Sequence, residues 1–318
     1  MLTIFAIPKD FKGQFQAIQL NAIQSWTLLE PRPEIILFGD DEGTAEVAAR
    51  FGLRHVSSVE RNEYGTPRVD RLFLAAQKVA GNDLLCYINS DIILTQDFIS
   101  SVADVDRLLV GKPFLAVGRK TSLPIKELLD FSDPGWPEKL AGWARREGRH
   151  VTYDSDFFLF RRGHWTRLPP FAIGRCYWSS WFMWDTRHRG LPMVDMTEQV
   201  LSVEPRHDYS HALSTGGHAR LSGVEFKNNW RLFKGCHYYT TVNSTKLLRG
   251  SELVDPPFKN RGLDLAVRFE YWLYFLLKGR LYPYSLPAIV AARLALALVR
   301  WLRSIPRHLA RRQAPTSA

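Results

Sequence analysis

Residues 83–94 read DLLCYINSDIIL, an apolar run of strand length that leads into the polar residues Asn89, Ser90 and Asp91. An apolar run without alternation is typical of a strand that is covered on both faces, as in a parallel sheet. Asp91 therefore follows a buried strand, at the sheet edge where open α/β folds bind their ligands. A carboxylate in that position suits a hard divalent cation.

The residues before this strand alternate between strand and helix patterns. The predicted strands are 2–7, 34–38 and 54–57, and the predicted helices are 18–29, 44–51 and 69–79. This alternation predicts an α/β, Rossmann-like, three-layer fold with a mixed, mainly parallel sheet. Polar strand ends at residues 8–10, 39–41 and 89–91 would then meet at one edge of the sheet and form a site.

The second part of the chain is less regular. Strand patterns recur near 114–118, 157–160 and 200–203, between loops rich in Pro, Gly and Trp. No Ser/Gly linker separates these residues from the first 115, so we interpret 1–115 and 116–245 as halves of one domain. Residues 246–318 are predicted to form a separate, helical C-terminal region.

The positive charge is concentrated at the end of the sequence. Of the net charge of +10, eight charges come from Lys and Arg residues after Glu270, where no acidic residue occurs. Arg293, Arg300 and Arg307 recur every seven residues between leucines and Trp301. The longest uncharged stretch, 281–292, is too short to span a bilayer, which needs about 20 residues. This pattern predicts amphipathic helices on an anionic membrane surface, although a helix packed on the domain is the alternative.

The composition argues against other classes of partner and compartment. Because the basic charge lies in the tail and no zinc-finger spacing occurs, we expect no nucleic acid partner. The cysteines Cys86, Cys176 and Cys236 are odd in number and far apart, which disfavours a disulfide framework. The first residues show no signal-peptide pattern. We therefore expect a cytoplasmic protein, peripheral on the inner face of the plasma membrane.

Seven segments, in their order along residues 1–215, resemble the nucleotide-diphospho-sugar transferases of bacterial polysaccharide clusters, which are family-2-like glycosyltransferases of the GT-A fold. The segments are IPKDF, IQLNAIQSW, EIILFGDDEG, NDLLCYINSDIIL, DSDFFLF, FAIGR and HDYSH. The resemblance implies Mn²⁺ or Mg²⁺, a nucleotide-sugar donor bound by residues 1–115, and an acceptor bound by 116–245. The implied reaction transfers a sugar to a saccharide or lipid-linked glycan hydroxyl in surface polysaccharide synthesis.

The resemblance also implies roles for individual residues. It places Asp91 and His207 at the metal and Asp156 at the sugar or acceptor. The nucleotide-sugar would be bound by five residues: Pro8, Asp40, Asn89, Ser90 and His211. The usual Asp-x-Asp motif is replaced here by Asn89-Ser90-Asp91, so Asp91 is the one charged metal ligand that the motif supplies.

The catalytic base is not defined by the sequence. The related proteins carry Trp-Asp-Asn-Trp where this chain has Trp178-Ser179-Ser180-Trp181, and a serine cannot act as a base at neutral pH. Asp156 and Asp185 are the remaining candidates. Two alternatives to a glycosyltransferase stay open: an inactive nucleotide-sugar-binding module, and a sugar nucleotidyltransferase on a similar fold.

Overall fold

The computed structural model describes residues 1–150, 155–207 and 223–257, all within the compact unit Met1–Leu263. The strands are β1 (Leu2–Ala6), β2 (Glu34–Phe38), β3 (Arg54–Val56), β4 (Leu84–Ile88), β5 (Ile93–Leu94), β6 (Leu115–Gly118), β7 (Lys120–Leu123), β8 (Arg149–His150), β9 (Phe157–Arg161), β10 (Met193–Asp195), β11 (Ser202–Pro205), β12 (Lys246–Arg249) and β13 (Glu252–Val254). The helices are α1 (Gln14–Thr27), α2 (Thr44–Phe51), α3 (Val69–Val79), α4 (Asp97–Leu108), α5 (Trp136–Glu147), α6 (Trp178–His188) and α7 (Gly223–Phe233), with a short 3-10 helix at Thr241–Asn243.

Nine strands form one mixed sheet in the order β13-β12-β10-β6-β9-β4-β1-β2-β3. Seven of them run in one direction, while β9 and β13 run against their neighbours. A second sheet has the order β5-β11-β7-β8. The mixed, mainly parallel α/β sheet that the sequence predicts is therefore confirmed.

Strands β1, β2 and β4 are buried along almost their whole length, which explains their apolar composition. In register, Phe5 lies beside Ile36 of β2 and Tyr87 of β4. On one face, Phe73 of α3 and Phe182 of α6 pack edge to face at 4.7 Å between ring centroids. On the other, the buried Trp26 of α1 donates from Nε1 to the Ile92 carbonyl oxygen at 2.8 Å. This bond fixes the chain immediately after Asp91.

The antiparallel strand β9 is inserted between β4 and β6. Its first residue, Phe157, pairs with Gly118, the last residue of β6. A Cβ atom on Gly118 would lie 2.4 Å from Phe157 Cζ, so only glycine fits at this position. Because β9 starts at the edge where the parallel strands end, the preceding residue, Asp156, lies at the same edge as Asp91.

The end of the described chain differs from the sequence-based expectation. Residues 246–254 form β12 and β13 of the large sheet, whereas a helical region was expected from residue 246 onward. Leu247 and Leu248 are buried because β12 pairs with β10 inside the fold. The sheet therefore continues beyond the boundary expected at 245. Among the described residues, no helix is long and apolar enough to cross a membrane.

Candidate active site

A cavity of about 270 Å³ lies at the carboxyl ends of the parallel strands. Pro8 and Lys9 follow β1, Asp41 follows β2, and Asn89, Ser90 and Asp91 follow β4; all six line the cavity. The opposite walls come from later elements: Asp156, Lys120 on β7, Glu204 on β11, and residues 173–179 before and at the start of α6. The convergence of strand ends that the sequence predicts is thus present.

Three side chains in this cavity can hold a divalent metal ion. The ligand atoms of Asp91, Glu204 and His207 all lie within 4.8 Å of one another. Asp91 Oδ2 is 4.0 Å from His207 Nε2. Asp91 Oδ1 is buried and meets no hydrogen-bond partner in the described part of the chain. An unsatisfied buried carboxylate oxygen is costly, and a bound cation would satisfy it.

The histidine has the tautomer that a metal ligand needs. His207 Nδ1 lies 3.0 Å from the Pro205 carbonyl oxygen, which can only accept a hydrogen bond. The proton of the neutral ring is therefore on Nδ1, and Nε2, which faces Asp91, carries the lone pair. Burial lowers the pKa of His207, and Lys9 and Lys120 lower it further, while Asp91 opposes them. The ring is consequently neutral at physiological pH.

Glu204 belongs to a buried ionic cluster. Lys120 Nζ lies 2.6 Å from Glu204 Oε1 and 3.3 Å from Asp156 Oδ1, and all three side chains are almost fully buried. Burial raises the pKa of Glu204 to about 7, although Lys120 opposes the shift. A metal ion would favour the ionised carboxylate in the same way that Lys120 does.

The position of Asn89 explains why the first aspartate of the usual motif is missing. Asn89 Nδ2 donates to Asp156 Oδ1 at 2.9 Å, and its backbone N–H donates to the Asp156 carbonyl oxygen. An aspartate at 89 would place two carboxylates in contact, whereas the amide donates a hydrogen bond. A second carboxylate near Asp91 comes instead from Glu204, on another strand.

Asp41 rather than Asp40 lines the cavity. Both carboxylates are paired with Arg61, at 2.8 Å for Asp40 Oδ1 and 3.0 Å for Asp41 Oδ2. The Asp40 side chain is 72% exposed and is not among the residues that line the cavity, and its pKa is lowered by the hydrogen bond from Arg61. The sequence pointed to Asp40, whereas the member of the acidic pair that lines the cavity is Asp41.

The two base candidates are separated by the fold. Asp156 lines the cavity, whereas Asp185 on α6 is absent from the lining found for the described residues. Asp185 Oδ2 accepts from Trp165 Nε1 and from Arg189 Nη1, both at 3.0 Å, and so serves as a structural anchor. Ser179 does line the cavity, in place of the acidic residue of the related sequences.

Ser90 and His211 were also predicted to bind the nucleotide-sugar. Ser90 is buried, and its hydroxyl donates to Gln19 Oε1 at 2.9 Å. Gln19 also binds the backbone N–H and carbonyl of Lys9, so it links the ends of β1 and β4. His211 lies outside the described residues, as does the C-terminal segment after residue 257.

Sequence reasoning missed Glu204, Lys120 and Arg175. An acidic residue inside the apolar strand pattern near 200–203, three residues before His207, was a usable signal for Glu204. Lys120 gave no signal, because a lysine in a short polar strand is ordinarily exposed. Arg175 lies in FAIGR, a segment noted for its resemblance but without a role.

No protein-family model matches the chain, and no curated protein matches its sequence. The structure is similar to mannosyltransferase PcManGT from Pyrobaculum calidifontis, solved with GDP-Man and Mn²⁺ (14% identity, TM-score 0.47, 97% of this chain and 80% of that chain). It is also similar to glucosyl-3-phosphoglycerate synthase from Mycobacterium tuberculosis, solved with Mn²⁺, UDP and glucosyl-3-phosphoglycerate (15% identity, TM-score 0.42, 81% of this chain and 91% of that chain).

A third similar structure is S. aureus TarS 1-349 in complex with UDP-GlcNAc (11% identity, TM-score 0.31, 41% of this chain). The match spans 37% of the TarS chain, well under half of its length. The three similar structures share 11 to 15% sequence identity with this chain.

Proposed function

We propose that this protein is a metal-dependent glycosyltransferase, which transfers a sugar from a nucleotide-diphosphate sugar to a hydroxyl of a saccharide or lipid-linked glycan. The observation that carries the proposal is the cluster of Asp91, Glu204 and His207, which meets in a cavity at the ends of parallel strands. Motif order in the sequence supports the same class of reaction.

The three possible metal ligands, Asp91, Glu204 and His207, fit Mn²⁺ or Mg²⁺, and together they favour Mn²⁺. Two carboxylates supply hard oxygen ligands, which both ions accept, whereas an imidazole nitrogen suits Mn²⁺ better than Mg²⁺. When bound, the cation would act as a Lewis acid that stabilises the negative charge of the departing diphosphate.

The charges of the cavity suit an anionic donor once a divalent cation is present. Four cationic side chains (Lys9, Arg61, Lys120 and Arg175) and four anionic ones (Asp41, Asp91, Asp156 and Glu204) line it. Lys120 pairs with Asp156 and Glu204 and so reduces the repulsion that these carboxylates would exert on a phosphate. With the metal, the lining carries an excess of positive charge, which attracts a diphosphate.

Asp156 is the residue that we propose as the base. Transfer to an acceptor hydroxyl requires removal of its proton, and a cavity carboxylate can accept it. Asn89 and Lys120 both bind Asp156 Oδ1, which fixes the orientation of the carboxylate. Asp185 has no access to the cavity described above, so it is the weaker of the two candidates.

Donor hydrolysis tests the proposal without a known acceptor. The protein would be incubated with UDP-, GDP-, ADP- and dTDP-sugars and Mn²⁺, and slow release of free sugar and nucleoside diphosphate is expected for one donor. Donor binding without release would support the inactive binding module. Incorporation of labelled pyrophosphate into a nucleoside triphosphate would support the nucleotidyltransferase.

The setting of the reaction is also a proposal. The basic, leucine-rich segment after Glu270 has the composition of an interfacial membrane anchor. Binding of this segment to anionic lipid would hold the enzyme at the inner face of the plasma membrane, next to lipid-linked acceptors. A role in surface polysaccharide synthesis follows from that position and from the resemblance of the sequence.

A further inference from the structure

We propose that Arg175 binds a phosphate group of the donor and that Glu225, on α7, is the residue that positions it. The proposal rests on the proposed function, since it assigns a residue to the donor diphosphate. Neither residue was given a role by the sequence.

Arg175 is held from one side and faces the cavity from the other. It lines the cavity, and its side chain is only 16% exposed. Nε and Nη2 both donate to Glu225 Oε2, at 3.0 and 2.6 Å. A guanidinium stays protonated at all physiological pH values and has five N–H donors, so donors remain for a phosphate oxygen.

Glu225 is itself fixed at both carboxylate oxygens. Its Oε1 accepts a hydrogen bond from Asn62 Nδ2 at 2.8 Å, and the residue is buried. Burial alone would raise the pKa of Glu225, but hydrogen bonds from Asn62, Thr66 and Arg175 hold it below the ordinary value. Glu225 is therefore ionised at neutral pH and restricts the guanidinium to one orientation.

The same helix also fixes the backbone on both sides of Arg175. Asn229, one turn after Glu225, is buried and binds the backbone N–H and carbonyl of Ala172 and the carbonyl of Cys176, at 2.8 to 3.0 Å. Tyr177, which follows Cys176, has a positive φ of 87°. Its ring stacks on that of Phe233 of α7, with 5.2 Å between the ring centroids. Side chain and backbone are thus held by one helix face, which is how a binding residue is preorganised.

The contacts of Glu225 place Arg175 on the donor side of the cavity. Asn62 follows Arg61, and Arg61 pairs with Asp41 at the end of β2. Glu225 therefore connects Arg175 to the strand-end loops of the first half of the chain, where the nucleotide is proposed to bind. An arginine next to these loops suits a phosphate oxygen, to which guanidinium donates charge-assisted hydrogen bonds.

The test measures nucleoside diphosphate binding rather than turnover. Titration calorimetry would give the Kd of UDP and of GDP with Mn²⁺, and the Kd of Mn²⁺ alone, for wild type, Arg175→Met, Glu225→Gln and the double variant. Arg175→Met should raise the Kd of the more tightly bound nucleotide about ten- to a hundredfold, as expected for the loss of a hydrogen bond to a charged group. Mn²⁺ affinity should not change, because neither residue belongs to the metal cluster.

The double variant separates positioning from a general structural role. If Glu225 acts through Arg175, Glu225→Gln should weaken binding less than Arg175→Met, and the double variant should match Arg175→Met alone. The control is Glu198→Gln, which weakens an exposed ion pair with Arg249 outside the cavity lining and should leave every Kd unchanged. If Arg175→Met fails to bind Mn²⁺, the same measurements would be made on Arg175→Lys instead.

Two results would overturn the inference. Wild-type nucleotide affinity in Arg175→Met would remove Arg175 from the donor site, and additive effects would remove the positioning role of Glu225. If the wild-type protein bound neither of these nucleotides, nor ADP or dTDP, with Mn²⁺, the proposed function itself would fail. The failures of the two proposals are therefore distinguishable.

Discussion

At the scale of single residues, Asp91 is where the chemistry of the cavity is concentrated. It follows a buried strand, belongs to the proposed metal cluster, and contributes little to the core because it lies at the sheet edge. Its Oδ1 atom is buried without a protein partner among the described residues. Such a residue is expected to matter for binding rather than for folding.

Asp91→Asn is therefore expected to abolish Mn²⁺-dependent nucleotide binding while the thermal midpoint without metal stays close to that of wild type. The amide removes one charged ligand and leaves the shape unchanged. Calorimetry with Mn²⁺ and UDP or GDP measures the effect. Asp83→Asn is the matched control, because the Asp83 carboxylate is 78% exposed and does not line the cavity. Unchanged metal-dependent affinity in Asp91→Asn would refute the metal assignment.

The two base candidates give a second prediction. Asp156→Asn should lower turnover by roughly 10²- to 10⁴-fold, as for loss of a general base, with a smaller effect on donor binding. Asp185→Asn should change turnover by less than about threefold, since Asp185 binds Trp165 and Arg189 outside the cavity. Single-turnover kinetics with a saturating donor compare the two. Equal turnover in both variants and wild type would assign acceptor activation to another group.

A buried histidine predicts the response to acid. Burial, and then Arg189, lower the pKa of His164 to about 3. The unfolded pKa is about 6.5, so below that pH the unfolded chain takes up a proton that the folded chain excludes. The free energy of unfolding should fall by about 1.4 kcal/mol per pH unit from this residue, or about 2 kcal/mol between pH 6.5 and 5.

Urea denaturation at pH 7 and pH 5 measures this loss in wild type and His164→Gln. The variant should lose less stability between the two pH values, because its residue 164 does not titrate. His188→Gln, at the exposed end of α6, should behave as wild type. An identical loss in wild type and His164→Gln would show that His164 does not contribute to acid sensitivity.

At the scale of elements, the insertion of β9 between β4 and β6 brings Asp156 to the site. The close approach of Gly118 to Phe157 permits this pairing. Gly118→Ala should therefore destabilise the protein by about 1 to 3 kcal/mol through overpacking. Gly142→Ala, inside α5, should be neutral or stabilising by up to about 1 kcal/mol, because only flexible arginine side chains lie near its Cβ.

Chemical denaturation of both glycine variants distinguishes these effects. If Gly118→Ala were as stable as wild type, β9 would not pack against β6 as closely as described. The comparison matters for function, because a shift of β9 would also move Asp156 relative to Lys120 and Asn89.

At the scale of the whole molecule, the basic segment after Glu270 is proposed to bind membranes. A chain truncated at Gly279 loses seven of its eight basic residues, each contributing about 1 kcal/mol near an anionic surface. Sedimentation with anionic liposomes should fall sharply, while nucleotide binding should persist, because the cavity residues precede the truncation. Raised salt should weaken the wild-type interaction in part. Equal sedimentation of the two proteins would contradict the membrane proposal.

Local sequence patterns are sufficient to predict the first half of the fold and one wall of the site. Residues 34–38, 44–51 and 69–79 form the strand and helices that were predicted, because apolar periodicity reports burial directly. Parallel strands end at one edge, so the meeting of Pro8, Asn89 and Asp91 followed from local patterns alone. The end of the sheet could not be predicted from local patterns, and the boundary expected at 245 falls before β12. A short strand such as β12 joins the sheet only because it pairs with a neighbouring strand.

The tertiary structure alone decided which distant residues complete the site. Lys120 and Glu204 are 84 residues apart and meet because β11 pairs in parallel with β7. Strand pairing and helix packing likewise selected Asp41 over Asp40, placed Asp156 in the cavity and Asp185 outside it, and brought Glu225 to Arg175. Local patterns do not specify these contacts, because most of them are made between elements remote in sequence.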